Sequence, residues 1–200
     1  VATHAEAVDH HHGPPAAHQS SRVDARVLGM LLFIASEIML FGAFFTAYFF
    51  VRVVNNIDWP QEPFHLPKYV AGVNTAILVT SSFTVHWALQ SIKRDNKAGL
   101  RAGLFLTLAL GLVFLLTQVR EYSRVGFAPA DGAFGTIFYG LTGLHGAHVF
   151  VGLTLLAVAT VRAFRGHFSA AHHHGVEIPG IYWHFVDVMW IVVYVTIYIL

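Results

Sequence analysis

Five runs of apolar residues, 27–51, 70–89, 102–119, 134–161 and 181–200, alternate with short polar stretches along the chain. Each is close to the roughly 20 residues that a helix needs to cross a hydrocarbon core. Strands of a membrane barrel fit poorly, because they run to about ten residues with alternating polarity. In lipid a backbone must satisfy its own hydrogen bonds, so each run predicts a helix. The expected fold class is all-α, a polytopic membrane bundle of five transmembrane helices.

The stretches between the runs behave as loops. Residues 55–68 carry three prolines, 91–101 are basic, and 126–132 end in turn residues. Residues 1–21 are polar, with two adjacent prolines and a His-His-His triplet, and lack the apolar core of a signal peptide. They predict a disordered His-rich tail, with 22–200 forming one five-helix transmembrane domain. No repeat of solenoid length is present.

Composition agrees with a membrane chain: 56% of the 200 residues are hydrophobic and 12% charged, about half the usual charged share of a soluble domain. Net charge is +1, and no basic face marks a nucleic-acid partner. Cysteine is absent, which excludes disulfides and thiolate metal centres. The Lys and Arg residues orient the bundle. The side of the N-terminus holds Arg22, Arg26, Lys93, Arg94, Lys97, Arg101, Arg162 and Arg165, and the other side holds Arg52, Lys68, Arg120 and Arg124. The positive-inside rule then predicts the N-terminus inside and the C-terminus outside.

Polar residues at membrane depth change the picture most. Glu37 stands in LFIASEIMLFGAFF, otherwise apolar or small. It lies about 15 Å along the first run, near the middle of a core about 30 Å thick. A charge there costs about 2.5–3.5 kcal/mol on insertion scales, and such residues face the bundle, paired and functional. Burial without a cation also favours the protonated acid. In TGLHGAHV, His145 and His148 share a helix face about 16–21 Å in from Phe134, so one of them meets the level of Glu37, and His148 is the expected partner. Gly140, Gly143 and Gly146, with Gly135 and Gly152, are small residues that let helices approach closely in lipid. His184 and Asp187, in YWHFVDVMW, share a face near the inner boundary, at the depth of His86. Gln118 and Glu121 mark the outer end of the third run, and Asp131 opens the fourth.

Each residue has a plainer reading. Glu37 serves either as a neutral packing residue or as a proton-linked group. For His86, His145, His148 and His184, a satisfied structural role stands against haem or metal ligation. The triplets at 10–12 and 172–174 read as adventitious metal binders in solvated segments, and Asp187 beside His184 as a fixture between helices. Phosphate loops, nucleophile elbows and zinc-protease signatures are missing.

Five segments resemble a known family in order and spacing: SEIMLFGAFF, the Gln118, Glu121, Tyr122 pattern, DGAFGTIF, TGLHGAHV and YWHFVDVMW. Together they cover nearly everything from Gly29 to Leu200. The chain is similar to subunit III of the haem–copper respiratory oxidases, specifically the cytochrome c oxidase branch. The resemblance implies a subunit with no catalytic residue, cofactor or metal of its own, beside a subunit I that bears haem and copper, a subunit II and a small subunit IV. It implies bound phospholipid, stabilisation of subunit I during turnover, and links to oxygen access and proton uptake in the bacterial cytoplasmic membrane. Glu37 matches the family's buried, carbodiimide-reactive glutamate. The long family form has seven helices and this chain begins where the third would, which implies a short bacterial form. A quinol oxidase subunit III is the first alternative, although that branch tends to carry Asp at the Glu37 position and Glu at the Gln118 position. The second is a proton- or metal-coupled transporter, against which stands the lack of any proline inside the five runs.

Overall fold

The computed structural model describes residues 24–56, 58–59 and 66–200, so the expected tail at 1–21 lies outside the described residues. The elements are α1 (Ala25–Phe49), α2 (Lys68–Lys93), α3 (Lys97–Tyr122), α4 (Gly132–Phe164) and α5 (His174–Tyr194). Both α1 and α5 continue into a widened turn, where Asn55 N–H reaches the Phe50 carbonyl and Leu200 N–H that of Val195, each five residues back.

Local chemistry sets the helix ends. The Asp24 carboxylate accepts from Arg26 N–H at 2.8 Å and caps α1. That bond, ahead of weaker help from His174 and Arg26 as cations, holds the exposed Asp24 carboxyl below the usual carboxylate range. Between α2 and α3 the chain reverses in three residues. Asp95 takes a left-handed φ of 55°, Asn96 N–H bonds back to the Ser91 carbonyl and Asp95 N–H to that of Ile92, and the Asn96 side chain then caps α3 by accepting from Gly99 N–H at 2.9 Å.

α5 packs on α2 and α4, and α3 packs on the same two helices, so these four form a bundle; α1 lies outside it against α4 and α5. Lipid is as apolar as leucine, so helices hold together by close packing and interhelical hydrogen bonds. Trp183 shows the first: fully buried, its ring fills the space left by Gly111 on α3 and Gly152 on α4, where a Cβ would stand 2.6 Å and 2.8 Å from it. The second binds α2. Trp183 Nε1–H donates to Ser81 Oγ at 2.8 Å, Trp190 Nε1–H donates to Thr75 Oγ1 at 2.9 Å, and Thr84 meets Thr107 of α3 at 2.7 Å.

Among the described residues four helices, counting the widened turns, are long and apolar enough to cross a membrane: those over Ala25–Val54, Lys97–Tyr122, Gly132–Phe164 and His174–Ile199. The expectation of five holds for helices but not for apolarity. α2 has 26 residues, yet its hydroxyl and amide side chains lower its hydropathy; many of them are turned inward. The last helix also starts seven residues before the apolar run, at His174, and so contains Pro179. The ring removes only the N–H that would reach the Gly175 carbonyl. The run 181–200 itself holds no proline, as read, and the helix gains one only because it begins earlier.

Candidate functional site: a buried Glu–His pair

One stripe of α1 faces the bundle, at helical spacing: Phe33, Glu37, Phe41, Phe44 and Tyr48. Phe33 stacks on Tyr182 at 6.2 Å, Phe44 lies where Gly140 of α4 leaves room, and Tyr48 O–H donates to the Thr196 carbonyl at 2.6 Å. At the centre, Glu37 Oε2 lies 3.0 Å from His148 Nε2, with side chains 17% and 10% exposed. Phe41 closes over the imidazole at 5.1 Å.

The other ring nitrogen fixes the proton count. His148 Nδ1 is 2.8 Å from the Leu144 carbonyl, which can only accept, so Nδ1 carries a hydrogen. Nε2 is then either bare and accepting from a protonated Glu37, or protonated and donating to a carboxylate. Either way one proton lies between Oε2 and Nε2, and the pair has no net charge. That is how α1 carries a carboxyl at the middle of an apolar helix without the full cost of a buried charge.

His145, one turn before His148, is not drawn into the pair. It is fully buried between Phe114, edge-to-face with ring centres 5.7 Å apart, and Trp190, with ring centres 4.7 Å apart, and neither ring nitrogen meets a protein partner among the described residues. His184 and Asp187 converge on Ser82 of α2: His184 Nδ1 lies 3.0 Å from Ser82 Oγ, which is also hydrogen-bonded with Asp187 Oδ2. His86 is exposed one turn away, 3.4 Å from Gln90. Gln118 is buried within reach of the Tyr122 and Tyr198 hydroxyls, and Glu121 is half-buried near Tyr198. Asp131 closes the turn before α4 by accepting from Ala128 N–H at 2.6 Å.

The glycines divide. Gly140 meets Phe44 at 2.9 Å and Gly135 meets the Ala128 carbonyl, whereas Gly143 and Gly146 have nothing within 4 Å of a Cβ position. Within this chain those two face open space, not the neighbours that Gly140 and Gly152 approach. Sequence reasoning missed Gly111 and the hydroxyls of α2. Thr75 and Ser81 on α2, six residues apart, face Trp190 and Trp183 on α5, seven apart, and that near-matched spacing of hydroxyls and indoles was the available signal.

At the start of α1 a groove of about 370 Å³ runs between Arg26, Arg162 and His174 and the apolar Leu155, Val158 and Ile178. His174 Nδ1 lies 3.0 Å from Glu177 and its Nε2 3.9 Å from Asp24, while Arg162 sits over the Phe168 ring at 5.1 Å. Among the described residues no group of three or more His, Asp or Glu side chains is arranged to hold a metal ion.

These features define an all-helical membrane protein built around a Glu–His pair of zero net charge. Its family follows from comparison with known proteins. A family model for cytochrome c oxidase subunit III matches residues 11–200, and the chain belongs to that family. It is 42% identical over 195 residues to cytochrome c oxidase subunit 3 of Thermostichus vulcanus, covering 97% of this chain and 92% of that one. The subunit 3 of Drosophila yakuba is 42% identical over 180 residues, and that of Equus caballus 39% over 176, each covering 85% of this chain and 67% of the relative. The quinol oxidase alternative is not favoured by these matches, and membership in the family displaces the transporter.

Proposed function

We propose that the chain is a non-catalytic subunit III of a bacterial cytochrome c oxidase, which stabilises the catalytic subunit I while the complex reduces oxygen to water and contributes to the proton-motive force. The family match across residues 11–200 carries this reading. Haem and copper belong to the partner chains, which are subunits I and II with a small subunit IV, in the cytoplasmic membrane. All five helices cross the bilayer, N-terminus inside and C-terminus outside; α2 does so because its polar side chains are turned largely toward α3 and α5.

Three observations support the detail. α1 is highly apolar yet buries only Phe41 and Tyr48, leaving Leu32 and Met39 among many side chains facing outward to lipid or to a partner. The Glu37–His148 pair, with no net charge, lets α1 lie against α4 and shape proton uptake and oxygen access without an uncompensated charge. The groove between Arg26 and Arg162 joins cations to an apolar floor, the chemistry that holds a phospholipid headgroup and its chains.

The test is removal of the chain from the assembled oxidase. The initial rate of oxygen consumption is retained, the enzyme inactivates sooner during sustained turnover, and re-addition restores its lifetime. An isolated chain with a stoichiometric Soret band would contradict the reading.

A further inference from the structure

The Glu37–His148 pair leaves a second polar cluster at membrane depth unexplained. Asp187 is buried, 3% exposed; its Oδ2 is hydrogen-bonded with Ser82 Oγ, and its Oδ1 meets no partner among the described residues. The same Ser82 Oγ lies 3.0 Å from His184 Nδ1. A fixture between α2 and α5 needs only one of these bonds, and an asparagine would serve.

A hydroxyl has one hydrogen and stands here between two groups that each accept or donate. The row therefore exists in two polarities. With Asp187 protonated, its O–H donates to Ser82 Oγ, the Ser82 O–H donates to His184 Nδ1, and His184 carries its hydrogen on Nε2. With Asp187 ionised, His184 Nδ1–H donates to Ser82 Oγ, Ser82 O–H donates to the carboxylate, and His184 Nε2 is bare. A proton arriving at Nε2 of the second form converts it to the first, as the Nδ1 hydrogen moves to Ser82 and the Ser82 hydrogen moves to Asp187. One proton is gained, one negative charge is lost and no bond between heavy atoms changes.

We propose that Asp187, Ser82 and His184 form a proton-holding site separate from the Glu37–His148 pair, in which Asp187 is loaded from His184 through the Ser82 hydroxyl. His184 is half-buried and stands on the side of the exposed His86, with Gln90 next to it, so the mouth of the site opens along α2 toward its C-terminal end. Asp187 ends the row. The other His, Asp and Glu side chains of the helices stand elsewhere: Glu37 of α1 is engaged with His148 of α4, His145 of α4 lies between Phe114 and Trp190, Glu121 lies at the end of α3 near Tyr198, and on α5 His174 pairs with Glu177 in the first turn. This inference goes beyond the subunit assignment and does not depend on it.

The test is pH-difference infrared spectroscopy of the membrane complex containing the full chain, in the protonated-carboxyl region. Subtracting the Asp187→Asn spectrum isolates a band that titrates and that Glu37→Gln retains. After a pH jump, Ser82→Ala slows the rise of that band on the order of 10²-fold, the scale of a lost positioned proton-transfer group. Ser82→Thr, which keeps a hydroxyl, restores the rate, and His184→Gln slows it as Ser82→Ala does. No band lost in Asp187→Asn would overturn the site. An unchanged rate in Ser82→Ala or in His184→Gln would overturn the relay, and because the readout is a carboxyl band, neither result bears on the oxidase assignment.

Discussion

His148 Nε2 and Glu37 Oε2 stand 3.0 Å apart across the only stripe of α1 that faces the bundle, and a single proton joins them. Removing one partner leaves the other buried without its bond. His148→Leu is expected to destabilise the folded chain by about 3 kcal/mol, as for a broken buried pair, whereas Glu37→Gln, whose amide can still donate to Nε2, costs about 1 kcal/mol. The double substitution Glu37→Leu with His148→Leu recovers most of the loss. Thermal unfolding in detergent measures the cycle, and additive losses would contradict the pairing.

Trp183 sets the spacing of α3, α4 and α5. Gly111→Ala would put a methyl 2.6 Å from its ring, and Gly152→Ala one at 2.8 Å, so each is expected to destabilise by about 1–3 kcal/mol through overpacking. Gly143→Ala and Gly146→Ala meet nothing within 4 Å and are expected to be neutral or to stabilise the isolated chain by up to about 1 kcal/mol through helix propensity. Unfolding midpoints of the four variants check the division.

His145 contacts rings and no polar protein group among the described residues. His145→Phe keeps the ring contacts with Phe114 and Trp190 and removes a buried polar group, so stability is expected to stay within about 1 kcal/mol of the parent. A loss of several kcal/mol on unfolding would show that the imidazole has a partner of consequence.

The Asp24 cap is pH-dependent with a definite sign. Its carboxyl titrates lower in the folded chain than in the unfolded one, mainly because Arg26 N–H bonds to the ionised form. The contribution is therefore complete above the unfolded value of about 3.9 and is lost as pH falls through the lower folded value. Acidification is expected to fray the start of α1 in the parent but not in Asp24→Asn, which caps without ionising. Amide exchange at residues 25–28 against pH distinguishes the two.

The helices and the Glu37 partner could be read from the chain because each depends on one local quantity. A long apolar run gives the helix, and counting rise per residue puts Glu37 and His148 at one depth. What stayed hidden depends on facing. α1 is apolar all round, so periodicity did not reveal its inner stripe. Gly111 sits in an apolar run without mark until Trp183 arrives from 72 residues further on. The polar residues of α2 depress its hydropathy, although Ser81 and Thr75 are turned toward Trp183 and Trp190. At the start of α5, residues 174–180 look like a loop because Gly175, Glu177 and Pro179 interrupt the apolar pattern, yet the backbone is already helical there.

The account rests on a Glu37–His148 contact with no net charge that lets this subunit pack while a neighbouring chain performs the redox chemistry. The most direct measurement is oxygen consumption by the assembled oxidase carrying Glu37→Gln, followed from the first turnovers until activity is lost. The expected result is an initial rate equal to that of the parent with a shortened active lifetime. A lifetime identical to the parent's, or an initial rate abolished outright, would contradict it.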